Sequence, residues 1–147
     1  MANEVAVNNN DSFEPAERGA VRTTIDMSTD EGQDKVFDAL TSAEPLLNHL
    51  EEDIALTDIV FQGVELTSKE TGEIVPATRT ILIDDKGNGY STVSGPIISS
   101  LRTLVDIKGQ PKNWSAPQHV TVIERRSKNN NRFYSLERYK ETPKKTK

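Results

Sequence analysis

The chain has 147 residues and no cysteine, which excludes disulfides, thiolate metal sites and cysteine nucleophiles. Its hydrophobic fraction is 34% and its charged fraction 28%, so one domain with a modest core and polar ends is expected. No apolar run nears the ~20 residues of a membrane span, and Met1-Ala-Asn-Glu-Val lacks the basic and apolar regions of a signal peptide.

Residues 1–19, with Asn8-Asn9-Asn10 and Pro15, are polar and aperiodic and are expected to form a disordered tail. Val21 to Met27 alternates apolar and polar and predicts a strand. Ser28, three residues before Glu31, predicts the N-cap of a helix running to about 39–41, with Val36, Phe37 and Leu40 on one side. Leu46, Leu47 and Leu50 predict a short helix beginning near Pro45. Ile54 to Thr67 is long and β-branched, with Gly63 the expected bulge or bend. Lys69 to Glu73 is a hairpin turn signal, and Ile74 to Ile83 the next strand. Asp84 to Gly89 turns the chain again; it lacks the alternating carboxylates of a calcium loop. Tyr90 to Val93 is a third strand. Ser94 predicts an N-cap, with Pro96 in the first turn of an amphipathic helix over 95–106. A loop from Gly109 to Pro117 holds Trp114. Gln118 to Arg126 and Arg132 to Tyr139 predict a last hairpin, and 141–147 a basic tail.

From Ile54 onward the order is β-β-β-α-β-β. The predicted class is α+β, mainly β: a five-stranded oligonucleotide/oligosaccharide-binding (OB) barrel over about 54–139. A strand–helix addition precedes it, and residues 20–140 form one domain.

The net charge of −5 conceals a strong polarity. Residues 1–60 sum to −11 and 61–106 to −2, whereas 107–147 carry eleven Lys and Arg against three Glu, or +8. Trp114, Phe133, Tyr134 and Tyr139 are interleaved with those cations. Cations suit phosphates and ring faces suit unstacked bases, so this third points to single-stranded nucleic acid. A solvated basic hairpin with core rings is the competing reading. The candidate binding residues are Arg125, Arg126, Lys128, Arg132, Phe133, Arg138 and Tyr139 on the hairpin, with Lys112 and Trp114 in the preceding loop. Strand alternation places Phe133, Ser135, Glu137 and Tyr139 on one face and Arg132, Tyr134, Leu136 and Arg138 on the other. With Leu136 in the core, Phe133 and Tyr139 face outward, although a barrel core could equally claim Phe133. Trp114 can either stack on a base or close the end of the barrel. His49 and His119 fit no metal spacing, and Glu51-Glu52-Asp53 reads as a solvated face. No nucleophile elbow, phosphate loop, dinucleotide fingerprint or zinc-protease motif is present, so a non-enzymatic role without cofactor or metal is expected.

The stretch Thr71-Gly72-Glu73, Arg79 to Asp84, Gly89 to Ser94 and Ser100-Leu101, with the later Gly109-Gln110-Pro111 and Trp114, resembles small single-stranded-DNA-binding proteins of bacteriophages and mobile elements of Gram-positive hosts. The resemblance covers roughly residues 50–140. It implies a protein of the host cytoplasm that coats single-stranded DNA in replication or recombination, largely without regard to sequence. Replication or recombination proteins would be its protein partners, and homo-oligomerisation is left open. A protein–protein module and a single-stranded RNA binder are the alternatives. Many such proteins end in an acidic tail, whereas this chain ends Lys144-Lys145-Thr146-Lys147.

Overall fold

The computed structural model describes residues 20–140. The expected N-terminal and C-terminal tails lie outside the described residues. The elements are β1 (Val21–Thr23), α1 (Asp30–Ser42), β2 (Glu44–Pro45), a 3-10 turn (Leu46–His49), β3 (Ile54–Thr67), β4 (Ile74–Asp84), β5 (Gly89–Thr92), α2 (Gly95–Lys108), a second 3-10 turn (Pro111–Asn113), β6 (Gln118–Arg126) and β7 (Arg132–Arg138). The class is mixed α+β, with the strands in one curled sheet and two helices against it. Strand order is β2-β5-β4-β3-β6-β7, with β1 added on β3.

β3 organises the molecule. One edge pairs with β4 along most of its length. Its other edge changes partner, from β6 at Ile54–Leu56 to β1 at Val60–Gln62. A bulge between Leu56 and Asp58 makes this possible. The extra residue shifts the alternation, so Ile54 and Leu56 before it and Ile59 and Phe61 after it all enter the same core. The Thr57 hydroxyl donates to the carbonyls of Ile83 and Asp84 at 3.3 Å, fixing the bulge to β4. The bulge expected at Gly63 is therefore six residues earlier. Gly63 keeps regular register with Thr78, and its N–H donates to the Ala20 carbonyl at 2.9 Å.

The β3–β4 pair has a core on each face. The larger joins β3 to Leu82, Leu46, the Ile97/Leu101/Val105 stripe of α2, Val120, Val122 and Leu136. Those three α2 residues recur every four positions and are nearly fully buried. Ser94 caps α2 as expected, and Gly109 ends it at φ 86°, a left-handed conformation suited to glycine. The smaller core places Val36 and Ala39 of α1 on Val60, Ile81 and Ile83.

Four N-terminal expectations change. The strand stops at Thr23, because Thr24 turns to bond the Ile59 backbone with both its N–H and its side chain. The cap of α1 is Thr29, whose hydroxyl accepts from the Gly32 N–H at 3.0 Å; Ser28 is held instead by the Asp26 carboxylate. Gly32 is required there, since a Cβ would stand 1.8 Å from the Asp26 carbonyl oxygen. Phe37 is 65% exposed, because the buried stripe is set by Val36 and Ala39 and the next residue points away. The short helix after Pro45 is a 3-10 turn, with Leu46 fully buried.

Candidate nucleic-acid interface

The β6–β7 hairpin turns at Ser127–Asn131. The Ser127 N–H donates to the Asn131 carbonyl at 2.8 Å, and Asn130 adopts φ 66°, which asparagine tolerates. Register pairs Val122 with Leu136, Glu124 with Tyr134, and Arg125 with Phe133. Leu136, Val120 and Val122 are buried, and Tyr134 packs half-buried on the same core. The middle of that face is consumed by packing, while Arg132 and Arg138 at its two ends stay exposed. The opposite face presents Phe133, which is 36% exposed, with Tyr139 half-buried just beyond the strand. The Tyr139 N–H donates to the His119 carbonyl at 2.9 Å, which fixes its backbone beside β6.

The cations of this hairpin differ in availability. Arg125 is committed to Glu137 by a bidentate pair, its Nε and Nη2 donating to the two carboxylate oxygens at 2.7 Å. Arg132 lies 3.8 Å from Glu124. Arg126 reaches the carbonyl and side-chain oxygens of Asn130 at 3.3 and 3.4 Å. Lys128, Arg138 and Lys112 have no ion pair among the described residues. These differences set which charges can meet a phosphate without first breaking a bond.

The nine candidate residues do not form one patch. Arg125, Arg126, Lys128, Arg132 and Phe133 cluster at the turn. Arg138 and Tyr139 stand toward the far end of the hairpin, opposite Val120 and His119. Lys112 and Trp114 lie beyond that end, beside Asp58 and Thr57 of β3. β6 separates them from the turn by roughly 27 Å at a rise of about 3.4 Å per residue. The Trp114 ring packs on the larger core, and its Nε1–H donates to the Gly109 carbonyl at 2.9 Å. That engagement favours the end-closing role over stacking.

Sequence reasoning missed the surroundings of Tyr139, where Glu51, Thr121, Ile123 and Lys140 converge. Alternation along β6 could have paired Thr121 and Ile123 with that face; nothing local pointed to Glu51. It also left both histidines isolated. His49 sits between Glu52 (2.9 Å) and Glu44 (2.7 Å), edge-on to the Tyr90 ring. The hydrogen bond to Glu52 is the leading cause that raises its pKa. His119 meets Asp53 at 2.8 Å. Two of the three acidic residues at 51–53 are thus partners of histidines. The Asp84–Gly89 loop is a turn: the Asp84 carboxylate accepts from the N–H groups of Lys86 and Asn88, the Asn88 amide and the Tyr90 hydroxyl. Burial pushes Asp84 up, but these donors outweigh it and hold its pKa below the ordinary value. Burial and the same carboxylate push the Tyr90 hydroxyl up to about 12.

Residues 16–138 match the model of the family described as phage single-stranded DNA-binding protein, of the phi29 type. The chain belongs to this family. It is 26% identical over 117 residues to the single-stranded DNA-binding protein of Bacillus phage PZA, an alignment spanning 80% of this chain and 93% of that relative. No solved structure matches it. Among the described residues, no helix is long and apolar enough to cross a membrane.

Proposed function

We propose that this protein coats single-stranded DNA in phage replication or recombination, in the host cytoplasm, largely independently of sequence and without catalysing a reaction. Family membership across residues 16–138, which takes in the whole hairpin, carries this reading. The geometry supports it with Phe133 exposed on the face opposite the core and with Lys128 and Arg138 available for phosphates. The five strands β5-β4-β3-β6-β7, with α2 between the third and fourth in sequence, have the order of an OB barrel opened between its third and fifth strands. On that reading the Ser127–Asn131 turn is the loop that flanks the nucleic-acid cleft.

Titration with labelled oligo-dT, duplex DNA and single-stranded RNA at two salt concentrations tests the proposal. Oligo-dT should bind much more tightly than duplex, and more weakly as salt rises. Equal affinity for duplex would overturn the stacking mechanism, and preference for RNA would reassign the ligand. Absence of binding at low salt would leave a protein–protein module in its place.

A further inference from the structure

A cavity of about 270 Å³ opens beside Tyr139, where Glu51 crosses β6. The Glu51 N–H donates to the Val122 carbonyl at 2.9 Å, and its backbone is left-handed at φ 66°. Thr121 lines the cavity, is only 5% exposed, and its hydroxyl has no hydrogen-bond partner. A buried hydroxyl without a partner is destabilising, and valine would fill the same space without that cost. A ligand seated in the cavity would complete that hydrogen bond once the side chain turned toward it.

The other walls describe that ligand. Tyr139 and Ile123 offer flat and apolar surface to a planar group. Arg138 and Lys140 have no ion pair among the described residues and would meet a phosphate beside it. Two carboxylates also face the cavity. Glu137 is neutralised by its bidentate bond to Arg125. Glu51 is exposed and has no side-chain partner among the described residues, so its carboxylate is free to accept from a donor on the ligand. A planar ring with an N–H donor, next to a phosphate, is a nucleotide base. Cytosine and adenine present an exocyclic amine to a carboxylate, whereas the N3–H of thymine lies between two carbonyls that would repel it.

We propose that this cavity is a base-reading subsite that holds one nucleotide of the bound strand and favours cytosine or adenine over thymine. The inference rests on single-stranded DNA being the ligand. It adds a modest preference to binding that is otherwise indifferent to sequence.

Affinities of the full chain for oligo-dC and oligo-dT of equal length, at neutral pH, test it. The wild type should bind oligo-dC several-fold more tightly. Glu51→Asn, which suits the left-handed backbone, should abolish that preference and leave oligo-dT affinity unchanged or slightly raised. Thr121→Val should weaken oligo-dC several-fold while its melting temperature holds or rises. Equal affinities for the two strands, or a preference that survives both substitutions, would overturn the subsite and leave the proposed function standing. Failure to bind either strand would overturn the single-stranded-DNA reading itself, and the subsite with it.

Discussion

Arg125 and Lys128 stand three residues apart, yet the fold leaves them in different states. Arg125 is held by both oxygens of Glu137, whereas Lys128 and Arg138 are unpaired among the described residues. For single strands, each phosphate that a cation neutralises adds about 0.7 to the salt dependence of binding. Replacing Lys128 and Arg138 together with alanine should therefore flatten the slope of log K against log salt by about 1.4. Arg125→Ala should change it by less than one phosphate's share, since its charge is already offset. Oligo-dT titrations at four or more salt concentrations decide this. An equal effect at Arg125 would mean that its ion pair opens on the ligand. His49 supplies a second prediction at this scale. Its pKa is raised in the fold, with Glu52 and Glu44 facing it and the Tyr90 ring against it. Its stabilising contribution is fully present below about pH 6.5, the unfolded value, and is lost as pH rises through the raised folded value. Melting temperature should therefore fall over that range in the wild type, and fall less in His49→Gln. Parallel curves would show that the clasp does not stabilise the fold.

The last hairpin is where the division between core and ligand face can be tested most directly. Leu136 is buried and Phe133 is exposed, three residues away on the other face. Phe133→Ala should leave melting temperature nearly unchanged and weaken oligo-dT binding by about 1–3 kcal/mol, the usual worth of one stacked base. Leu136→Ala should do the reverse, costing about 2–5 kcal/mol of stability through the cavity it leaves. Destabilisation by the Phe133 change with affinity intact would place that ring in the core. Strand alternation from Leu136 pointed Phe133 outward in the sequence, but a barrel core could equally have claimed that ring, and its exposure is settled only in the folded chain. Helix α2 was legible in the sequence, where capping by Ser94 and a four-residue apolar repeat agree. The bulge was not, since its position depends on β3 bonding to three other strands at once, which a lone Gly63 cannot signal. The cap of α1 was ambiguous between two adjacent hydroxyls, and the close approach of Gly32 to Asp26 favours Thr29. The Arg125–Glu137 pair was also hidden. Glu137 lies four positions along β7 from the residue opposite Arg125, and strand twist helps to bring such diagonals together.

At the scale of the whole molecule, the β3–β4 pair is shared by two cores. Its inner face meets α2 and the last hairpin, and its outer face meets α1. Neither core can lose this pair and remain buried, so we expect residues 20–140 to unfold as one cooperative unit. The chain provides separate reporters. Trp114 is the only tryptophan and packs on the larger core, so its fluorescence follows that side. Ile81 lies wholly buried in the smaller core, on the other face of the sheet. Ile81→Ala should cost about 2–5 kcal/mol, and the cost should register at Trp114 as fully as in the far-ultraviolet circular dichroism. Coincident denaturant transitions in both signals, shifted together by the substitution, are the expected result. A dichroism transition that moves ahead of an unshifted tryptophan transition would make α1 and its core a separable addition to the barrel. The shared strands make that outcome physically costly. Releasing α1 would expose Val60, Ile81 and Ile83, whose backbones alternate with the inward-facing Ile59, Phe61 and Leu82 in the same two strands.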